Sequence, residues 1–210
     1  MELLDILQAR RSIRKYTGEP IPRKMLEKVL QAGLLAPTGR DLHPWEFVVV
    51  EDPETLAALS HCRQGSSRML GQAACAILVW GDTKRTDVWT EDCSLAMGYM
   101  HLMAHSLGLG SCWIQGRLRD AESGEETTEA YCRKVLGIPE NLALEAILSL
   151  ASVSTNFKHM IKSNYTTALA AGLVSVVSIG AALPSSAPHG PVSYTHLHDA
   201  QHVLPNLSFF

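Results

Sequence analysis

A cluster of positive side chains lies close to the start of the chain, within the stretch ARRSIRKYTG at residues 9–18. Four cations and one hydroxyl occupy six positions there: Arg10, Arg11, Ser12, Arg14 and Lys15. Arginine binds phosphate oxygens in a bidentate fashion, and a serine hydroxyl or a backbone N–H group adds further donors. A solvated basic turn is the alternative, and this stretch taken alone favours that alternative over a phosphate site.

The rest of the chain does not continue this positive charge. Its 210 residues carry 18 Lys and Arg against 21 Asp and Glu, a formal net charge of −3. A mildly acidic protein is a poor general binder of polyanions, so the cluster indicates a local site rather than a nucleic-acid surface. The five cysteines are scattered without a CxxC pair, which argues against a zinc site or a disulfide framework and indicates a reducing cytoplasm. The first residues, MELLDILQARR, are not typical of a secretory signal.

Two other motifs suggest chemistry, but each has a simpler interpretation. His101 and His105 lie four residues apart, a spacing that places both on one helix face and can bind a metal. The zinc-protease pattern needs Glu where this chain has Leu102, and no third ligand is evident, so we interpret both as ordinary helix histidines. The glycine-rich stretch at 108–116 follows a helix and opens a strand, the reverse of a dinucleotide-binding loop, which indicates a helix end.

The spacing of apolar residues predicts the elements that must position these groups. Strands are predicted at 45–50, 75–80, 111–115 and 144–151. Helices are predicted at 2–9, from Met25 to Gly33, at 53–60, from Glu91 to Leu107 and at 125–136. This order predicts an α+β or α/β domain in which helices pack on one sheet.

The composition changes sharply near residue 150. Residues 1–150 hold 16 of the 18 Lys and Arg and 20 of the 21 Asp and Glu, and residues 163–198 hold none. Three interpretations compete for residues 151–210: a membrane anchor, a native disordered extension, or the product of a wrong reading frame. The charge-free segment 168–183 has 16 residues, fewer than the ~20 that span a bilayer, and we favour the third interpretation.

Three segments taken together resemble the nitroreductase family of flavin enzymes. They are RRSIRKY at 10–16, APTGRDLHPWEFVVV at 36–50 and HSLGLGSCWIQG at 105–116, with GIPE at 137–140 and the strand ending at Leu150 after them. The resemblance covers residues 1 to about 150, which we predict to be the FMN-binding domain. It implies an α+β sandwich of three layers, with a central, mostly antiparallel sheet flanked by helices. It also implies an obligate homodimer with two non-covalently bound FMN molecules at its interface.

The resemblance assigns a role to the cationic cluster. Arg10, Arg11, Ser12 and Arg14 match the family element that holds the FMN phosphate and ribityl chain and reaches the polar edge of the ring. Cations near that edge would stabilise the reduced, anionic flavin. The opening cluster is therefore expected to bind phosphate.

A second matched segment is the loop before the first strand. Pro37, Thr38 and Gly39 match the loop that meets the flavin from the partner subunit. Asp41 and His43 occupy positions where the family more often has Asn and Gln, and both are predicted to lie at the cofactor. The Asp41 carboxylate would either lower the flavin's redox potential through its charge or pair with Arg40 and have little effect.

The third matched segment is the end of a strand. Trp113, Ile114, Gln115 and Gly116 match the strand end that passes near the flavin's reactive N5. The implied activity is transfer of hydride from NADH or NADPH to FMN and of electrons to a small organic acceptor such as a nitroaromatic or a quinone. Because the cofactor carries the chemistry, no catalytic side chain and no metal are expected. A non-catalytic flavin-binding protein or a defective homologue is the alternative.

The chain departs from the family after the last matched strand. The family continues into Gly-x-Pro and a basic segment that contacts the phosphate, whereas here ASVSTNFKHM follows Leu150. VSYTHL at 192–197 resembles the translation of a transposon-end adapter used in preparing sequencing libraries. A frame error running into such an adapter would explain both the composition break and the lost motif, so we predict residues 151–210 to be a non-native tail.

Overall fold

A computed structural model describes residues 2–153 of the chain. The predictions for residues 154–210, which include the apolar segment 168–183 and VSYTHL, lie outside the described residues. Within the described part, none of the helices combines the length and the apolarity that a bilayer crossing requires.

Helices and strands follow each other in the order that the apolar pattern predicts. The helices are α1 (Leu3–Ala9), α2 (Arg23–Leu34), α3 (Pro53–Leu59), α4 (Trp89–Ser106) and α5 (Thr128–Leu136). The strands are β1 (Trp45–Val50), β2 (Cys75–Asp82), β3 (Gly110–Gln115) and β4 (Leu142–Ala151). Two short 3-10 turns, Gly39–Asp41 and Arg68–Gln72, complete the described chain. Three of the predicted strands gain one or two residues at an end, and β1 has the predicted bounds.

The four strands form one antiparallel sheet in the order β1-β2-β4-β3. Strands β2 and β4 lie in the centre, and both are apolar along most of their length, as strands covered on two faces must be. Within residues 2–153 strand β3 pairs with β4 alone, in a register that sets Cys112 opposite Ser149, and its other edge carries no strand of that part. The predicted α+β class with an antiparallel sheet is confirmed.

Each face of the sheet carries its own apolar core. Helices α2 and α4 cover one face, where Leu30 and Met100 pack with Phe47 and Leu148. Helices α3 and α5 cover the other face, and their buried side chains include Leu59 and Cys132. Alternate residues of β2 and β4 serve the two cores because side chains alternate along a strand. The result is the three-layer sandwich that the resemblance implies.

The first residue of helix α5 differs from the prediction because of an N-terminal capping hydrogen bond. Helix α5 was expected from residue 125, but it begins at Thr128 because the Thr127 hydroxyl accepts a hydrogen bond from the Ala130 N–H at 3.1 Å. The end of α4 agrees with the prediction: Gly108 has a φ of 75°, a left-handed conformation in which glycine has no Cβ to clash. Gly110, also predicted as part of that helix end, is the first residue of β3.

Gly81 of β2 lies where α4 packs closely on the sheet, so a substitution there tests this packing. A Cβ at this position would lie 2.5 Å from Cε3 of Trp89 and 3.0 Å from Sγ of Cys93. We expect Gly81→Ala to lower the free energy of unfolding by about 1–3 kcal/mol, because the first turn of α4 must move. Urea unfolding of the full chain measures this. Gly71→Ala is the matched control, since its nearest contact is Cβ of Ser60 at 3.6 Å, and it should change stability by less than about 0.5 kcal/mol.

Candidate functional site

The cationic segment is held against the free edge of β3. The Ile13 N–H donates to the Ser111 carbonyl at 2.9 Å, and the buried Ile13 side chain contacts the backbone of Gly110. The Tyr16 hydroxyl donates to the Ile13 carbonyl at 2.7 Å and lies 2.6 Å from Oγ of Ser149 on β4. Burial raises the pKa of Tyr16 well above its ordinary value, so the phenol stays protonated. These contacts fix a segment that has no helix or strand of its own.

Arg10 joins this segment to the middle of α4. Its backbone N–H closes the end of α1 by donating to the Ile6 carbonyl at 2.9 Å. Its Nη1 lies 2.9 Å from Nε2 of His101, and Nδ1 of the same ring lies 2.7 Å from Oγ of Ser111. Burial first, and then the charges of Arg10 and His105, lower the pKa of His101 to about 4. The imidazole is therefore neutral at physiological pH.

The other three predicted phosphate ligands lie beside Arg10. Arg11 is exposed, and its Nη1 donates to the carbonyls of Gln8 and Arg10 at 2.7 and 2.8 Å, at the end of α1. Ser12 and Arg14 are exposed and lie near Cys112. Burial raises the pKa of the Cys112 thiol, and the Arg14 charge and the Ser12 hydroxyl oppose that rise. The structure thus brings the four residues together at the start of β3.

None of these cations is neutralised by a carboxylate within residues 2–153. The salt bridges of that part involve other cations, and Arg10, Arg11, Arg14 and Lys15 take part in none of them. Like charges this close in sequence repel each other, so an anion with several acceptor oxygens is the complement of this surface. The donor set fits a phosphate group.

The loop predicted to meet a cofactor packs on the first turn of α4. The Thr38 hydroxyl accepts from the N–H groups of Leu42 and His43 at 2.9 and 3.1 Å. The Gly39 N–H donates to Oδ1 of the buried Asp92 at 2.9 Å, and a Cβ on Gly39 would lie 2.9 Å from Cγ2 of Val88. Pro37 precedes this contact and is exposed. Glycine is therefore required at position 39 by close approach.

Asp41 and His43 face solvent in a strained part of the same loop. The φ angles of Arg40, Asp41 and His43 are 57°, 58° and 45°, in the left-handed region. The predicted alternative that Asp41 pairs with Arg40 is wrong, because Arg40 forms its ion pair with Asp87 at 2.8 Å. The Asp41 carboxylate instead lies 3.4 Å from Nε2 of His43.

The strand end at 113–116 is fixed by a buried polar network. Nε1 of Trp113 donates to Oε1 of Gln115 at 2.9 Å, and Nε2 of Gln115 donates to the Glu145 carbonyl at 3.1 Å. The Gly116 N–H also donates to that carbonyl at 3.1 Å. A Cβ on Gly116 would lie 2.6 Å from Cδ2 of Leu144, so the strand must end in glycine here. Together these contacts hold the backbone of the strand end in one position.

Ile114 contributes backbone only. Its side chain is 1% exposed and packs in the core under α3 and α5, on the face of the sheet opposite α4. The side chains of Trp113 and Gln115 alternate to the other face, because side chains alternate along a strand. Any cofactor contact of Ile114 is therefore through its N–H or carbonyl.

The three predicted segments do not all lie close together in space within one chain. The cationic segment contacts α4 at His101, whereas the loop contacts α4 at Asp92. Nine residues of helix separate these contacts by about 14 Å. The strand end lies nearer the loop, since Glu145 accepts a hydrogen bond from the Ser94 hydroxyl at 3.1 Å.

Sequence reasoning missed His101, Ser111 and Tyr16, which position the cationic segment. The spacing of His101 and His105 suggested a metal ligand pair or plain helix histidines, and the contact with Arg10 spans 91 positions that no local pattern reports. One signal was present: His101 falls on the apolar face of α4, beside Met97 and Met100. A polar residue on such a face needs a buried partner. Within residues 2–153, no group of three or more His, Cys, Asp or Glu side chains is placed to hold a metal.

Comparison with known proteins shows the family of the chain. The nitroreductase family model matches residues 7–62 and 56–152. A protein of Archaeoglobus fulgidus that carries the provisional name NADH dehydrogenase/NAD(P)H nitroreductase is 39% identical over 71% of this chain and 84% of its own length.

Solved structures give the same result. An FMN-dependent nitroreductase of Clostridium difficile superposes with a TM-score of 0.70 at 42% identity, over 72% of this chain and 87% of that one. A nitroreductase-like protein of Desulfovibrio desulfuricans, solved in complex with FMN, superposes with a TM-score of 0.61 at 25% identity, over 74% and 88% of the two chains. The family match covers more than half of the chain and ends where β4 ends, and the chain therefore belongs to the nitroreductase family.

Proposed function

We propose that this protein is an FMN-dependent oxidoreductase, which takes hydride from NADH or NADPH and passes electrons to a small organic acceptor such as a nitroaromatic or a quinone. Membership of the nitroreductase family supports a flavin-dependent NAD(P)H oxidoreductase in general. The acceptor class, the ping-pong order of the two half-reactions and the choice of FMN are the parts that the proposal adds.

The uncompensated cationic segment is the observation that carries this proposal. Arg10, Arg11 and Arg14 present guanidinium groups at one edge of β3, and within residues 2–153 no carboxylate pairs with them. Guanidinium forks match phosphate oxygens in geometry and in charge. FMN carries a terminal phosphate, whereas riboflavin does not, so this donor set favours the phosphorylated flavin.

The cationic segment and the strand end have different roles in the proposed mechanism. FMN supplies the hydride- and electron-transfer chemistry when it is bound. Arg10, Arg11, Ser12 and Arg14 would bind its phosphate and ribityl chain, and their positive charge would favour the reduced, anionic form of the cofactor. The strand end from Trp113 to Gly116, whose backbone is held by Glu145, would help to position the flavin.

We propose further that a second copy of the chain completes the site. The loop residues Pro37, Thr38, Gly39, Asp41 and His43 lie at the far end of α4 from the cationic segment of their own chain. A partner related by two-fold symmetry would bring its loop to the flavin of the first chain. We therefore propose that these residues complete the site of the partner subunit.

An exposed apolar surface on α1 and α4 supports this homodimer. Leu3, Leu4 and Leu7 of α1 are 63%, 61% and 50% exposed, and Leu95 and Tyr99 of α4 are 44% and 42% exposed. The two helices are in contact with each other. Clustered large apolar side chains of this kind are typical of protein interfaces.

A non-catalytic flavin-binding protein or a defective homologue is the second candidate. It is favoured by the sequence after Leu150, where Ala151, Ser152 and Val153 stand in place of the family's Gly-x-Pro. We also propose a cytoplasmic location. All five cysteines are free and buried within the described domain, which agrees with a reducing compartment.

Substitution of a predicted phosphate-binding arginine tests the proposal that the cationic segment binds FMN. We expect Arg14→Ala to weaken FMN binding by roughly 10- to 100-fold, because a charge-assisted hydrogen bond is lost, while riboflavin binding changes little. Quenching of flavin fluorescence measures both affinities. Lys24→Ala on α2 removes an equally exposed cation elsewhere and should leave both unchanged. Equal effects of the two variants would contradict a phosphate site at Arg14.

Anaerobic reduction separates the enzyme from its non-catalytic alternative. We expect NADH or NADPH to bleach the flavin absorbance of the FMN-loaded chain, and a quinone or nitroaromatic to restore it. Steady-state double-reciprocal plots at several acceptor concentrations should then be parallel. A flavin that stays yellow under excess NADH and excess NADPH would support the non-catalytic candidate instead.

A charge placed on the apolar surface tests the homodimer. We expect Leu95→Glu to shift the protein from a dimer to a 22.9 kDa monomer in sedimentation analysis and to weaken FMN binding, since two carboxylates would face each other. Ala57→Glu puts the same charge on α3, on the other side of the sheet, and should leave the dimer intact. A dimer that survives Leu95→Glu would place the interface elsewhere.

A further inference from the structure

A buried histidine of α4 contacts the first arginine of the phosphate-binding segment. His101 is 7% exposed, and the metal and nucleophile motifs of the sequence leave it without a role. Its Nε2 lies 2.9 Å from Nη1 of Arg10, and its Nδ1 lies 2.7 Å from Oγ of Ser111. Both ring nitrogens are therefore in hydrogen-bonding contact.

The contact with Arg10 fixes the tautomer of the ring. A guanidinium group has donors only, so Nε2 of His101 must be the acceptor and the proton must lie on Nδ1. The Nδ1–H then donates to Oγ of Ser111. Burial, together with the positive charges of Arg10 and of His105 one turn further along α4, keeps the pKa of His101 low and the ring neutral.

The same strand residue anchors the segment twice. The Ser111 carbonyl accepts a hydrogen bond from the Ile13 N–H, and the Ser111 hydroxyl accepts one from Nδ1–H of His101, whose Nε2 bonds the Arg10 side chain. One residue of β3 thus sets both the path of the backbone and the position of the guanidinium. Of the five N–H donors of Arg10, one is used by His101, and no other bond of its side chain is formed within residues 2–153.

We infer that His101 is a positioning residue for phosphate recognition, which orients the Arg10 guanidinium as a neutral acceptor and leaves its positive charge uncancelled. This inference rests on the proposed function, because the anion is taken to be the phosphate of FMN. A carboxylate in the same place would hold Arg10 equally well but would neutralise it. A neutral imidazole keeps the full charge for a phosphate of charge close to −2.

An isosteric pair of substitutions separates orientation from charge. His101→Gln places an amide oxygen near Arg10, and His101→Glu places a carboxylate of the same size there. We expect Gln to retain FMN affinity within about 3-fold of the natural chain. We expect Glu to weaken FMN binding by at least about 10-fold relative to Gln, because the pair cancels a phosphate-binding charge.

Riboflavin is the internal control for structural damage. Fluorescence titration of the full chain with FMN and with riboflavin gives an affinity ratio that reports the phosphate contact alone. His101→Leu and His101→Glu should lower this ratio, whereas His105→Leu, one turn away and without a hydrogen bond to Arg10, should leave it unchanged. A uniform loss for both flavins, or an unchanged ratio, would overturn the positioning role.

Two further sets of variants test the positioning role of His101. If His101→Leu does not fold, Ser111→Ala removes the acceptor of Nδ1–H and should lower the FMN to riboflavin ratio by about 2- to 5-fold. In an Arg10→Ala background, exchange of Gln for Glu at position 101 should change the ratio less than it does with Arg10 present, and an effect of undiminished size would overturn the inference. A natural chain that binds neither flavin overturns the proposed function itself, whereas FMN binding with an insensitive ratio overturns only the role of His101.

Discussion

The hydrogen bond between the Ile13 N–H and the Ser111 carbonyl is the contact on which the site depends. Four cations within six residues repel each other, and no carboxylate in residues 2–153 neutralises them, so ion pairing does not hold this segment in place. Hydrogen bonding to the sheet does. Among the described strands β3 pairs with β4 on one edge, and on its other edge the Ser111 carbonyl accepts a hydrogen bond from the Ile13 N–H of the segment. Tyr16 and His101 secure the two ends of the segment with neutral side chains, which restrain the cations without cancelling their charge.

Helix α4 sets the distances between the parts of the site. It contacts the cationic segment through His101 and the loop at Gly39 through Asp92, and its Ser94 bonds Glu145 of β4, which also holds the strand end. Between these contacts Cys93, Ala96, Met97 and Met100 are buried, and Gly81 and Gly33 let α4 approach the sheet and α2 closely. The spacing of the site therefore follows from helix packing: a change that lifts α4 from the sheet would move all three segments at once. The exposed side of α4 is then available for a partner subunit.

The sequence predicted the sheet better than it predicted the site. Strand β1 agrees at both ends because WEFVVV is apolar at every position except Glu46 and is closed by Asp52 and Pro53, a signal that lies within a few neighbouring residues. The start of α5 was wrong, since a capping threonine outweighs the apolar period of the residues before it. The resemblance predicted a site role for Arg10 but not its contact with His101, which joins residues 91 positions apart. The Arg40 ion pair was missed for the same reason, because its partner Asp87 comes from the loop before α4.

The loop at 40–43 shows how strain and position are connected. Left-handed backbone costs a non-glycine residue of order 1–3 kcal/mol, and three of the four residues adopt it. Asp and His tolerate that region better than most residues do, which restricts what can replace Asp41 and His43. Hydrogen bonds stabilise this strained backbone: the Thr38 hydroxyl accepts two from backbone N–H groups, and Arg85 donates one to the His43 carbonyl at 2.9 Å. Such a loop keeps its shape before any ligand arrives. A two-fold partner would therefore receive a preformed surface, and binding at that interface would not have to order it.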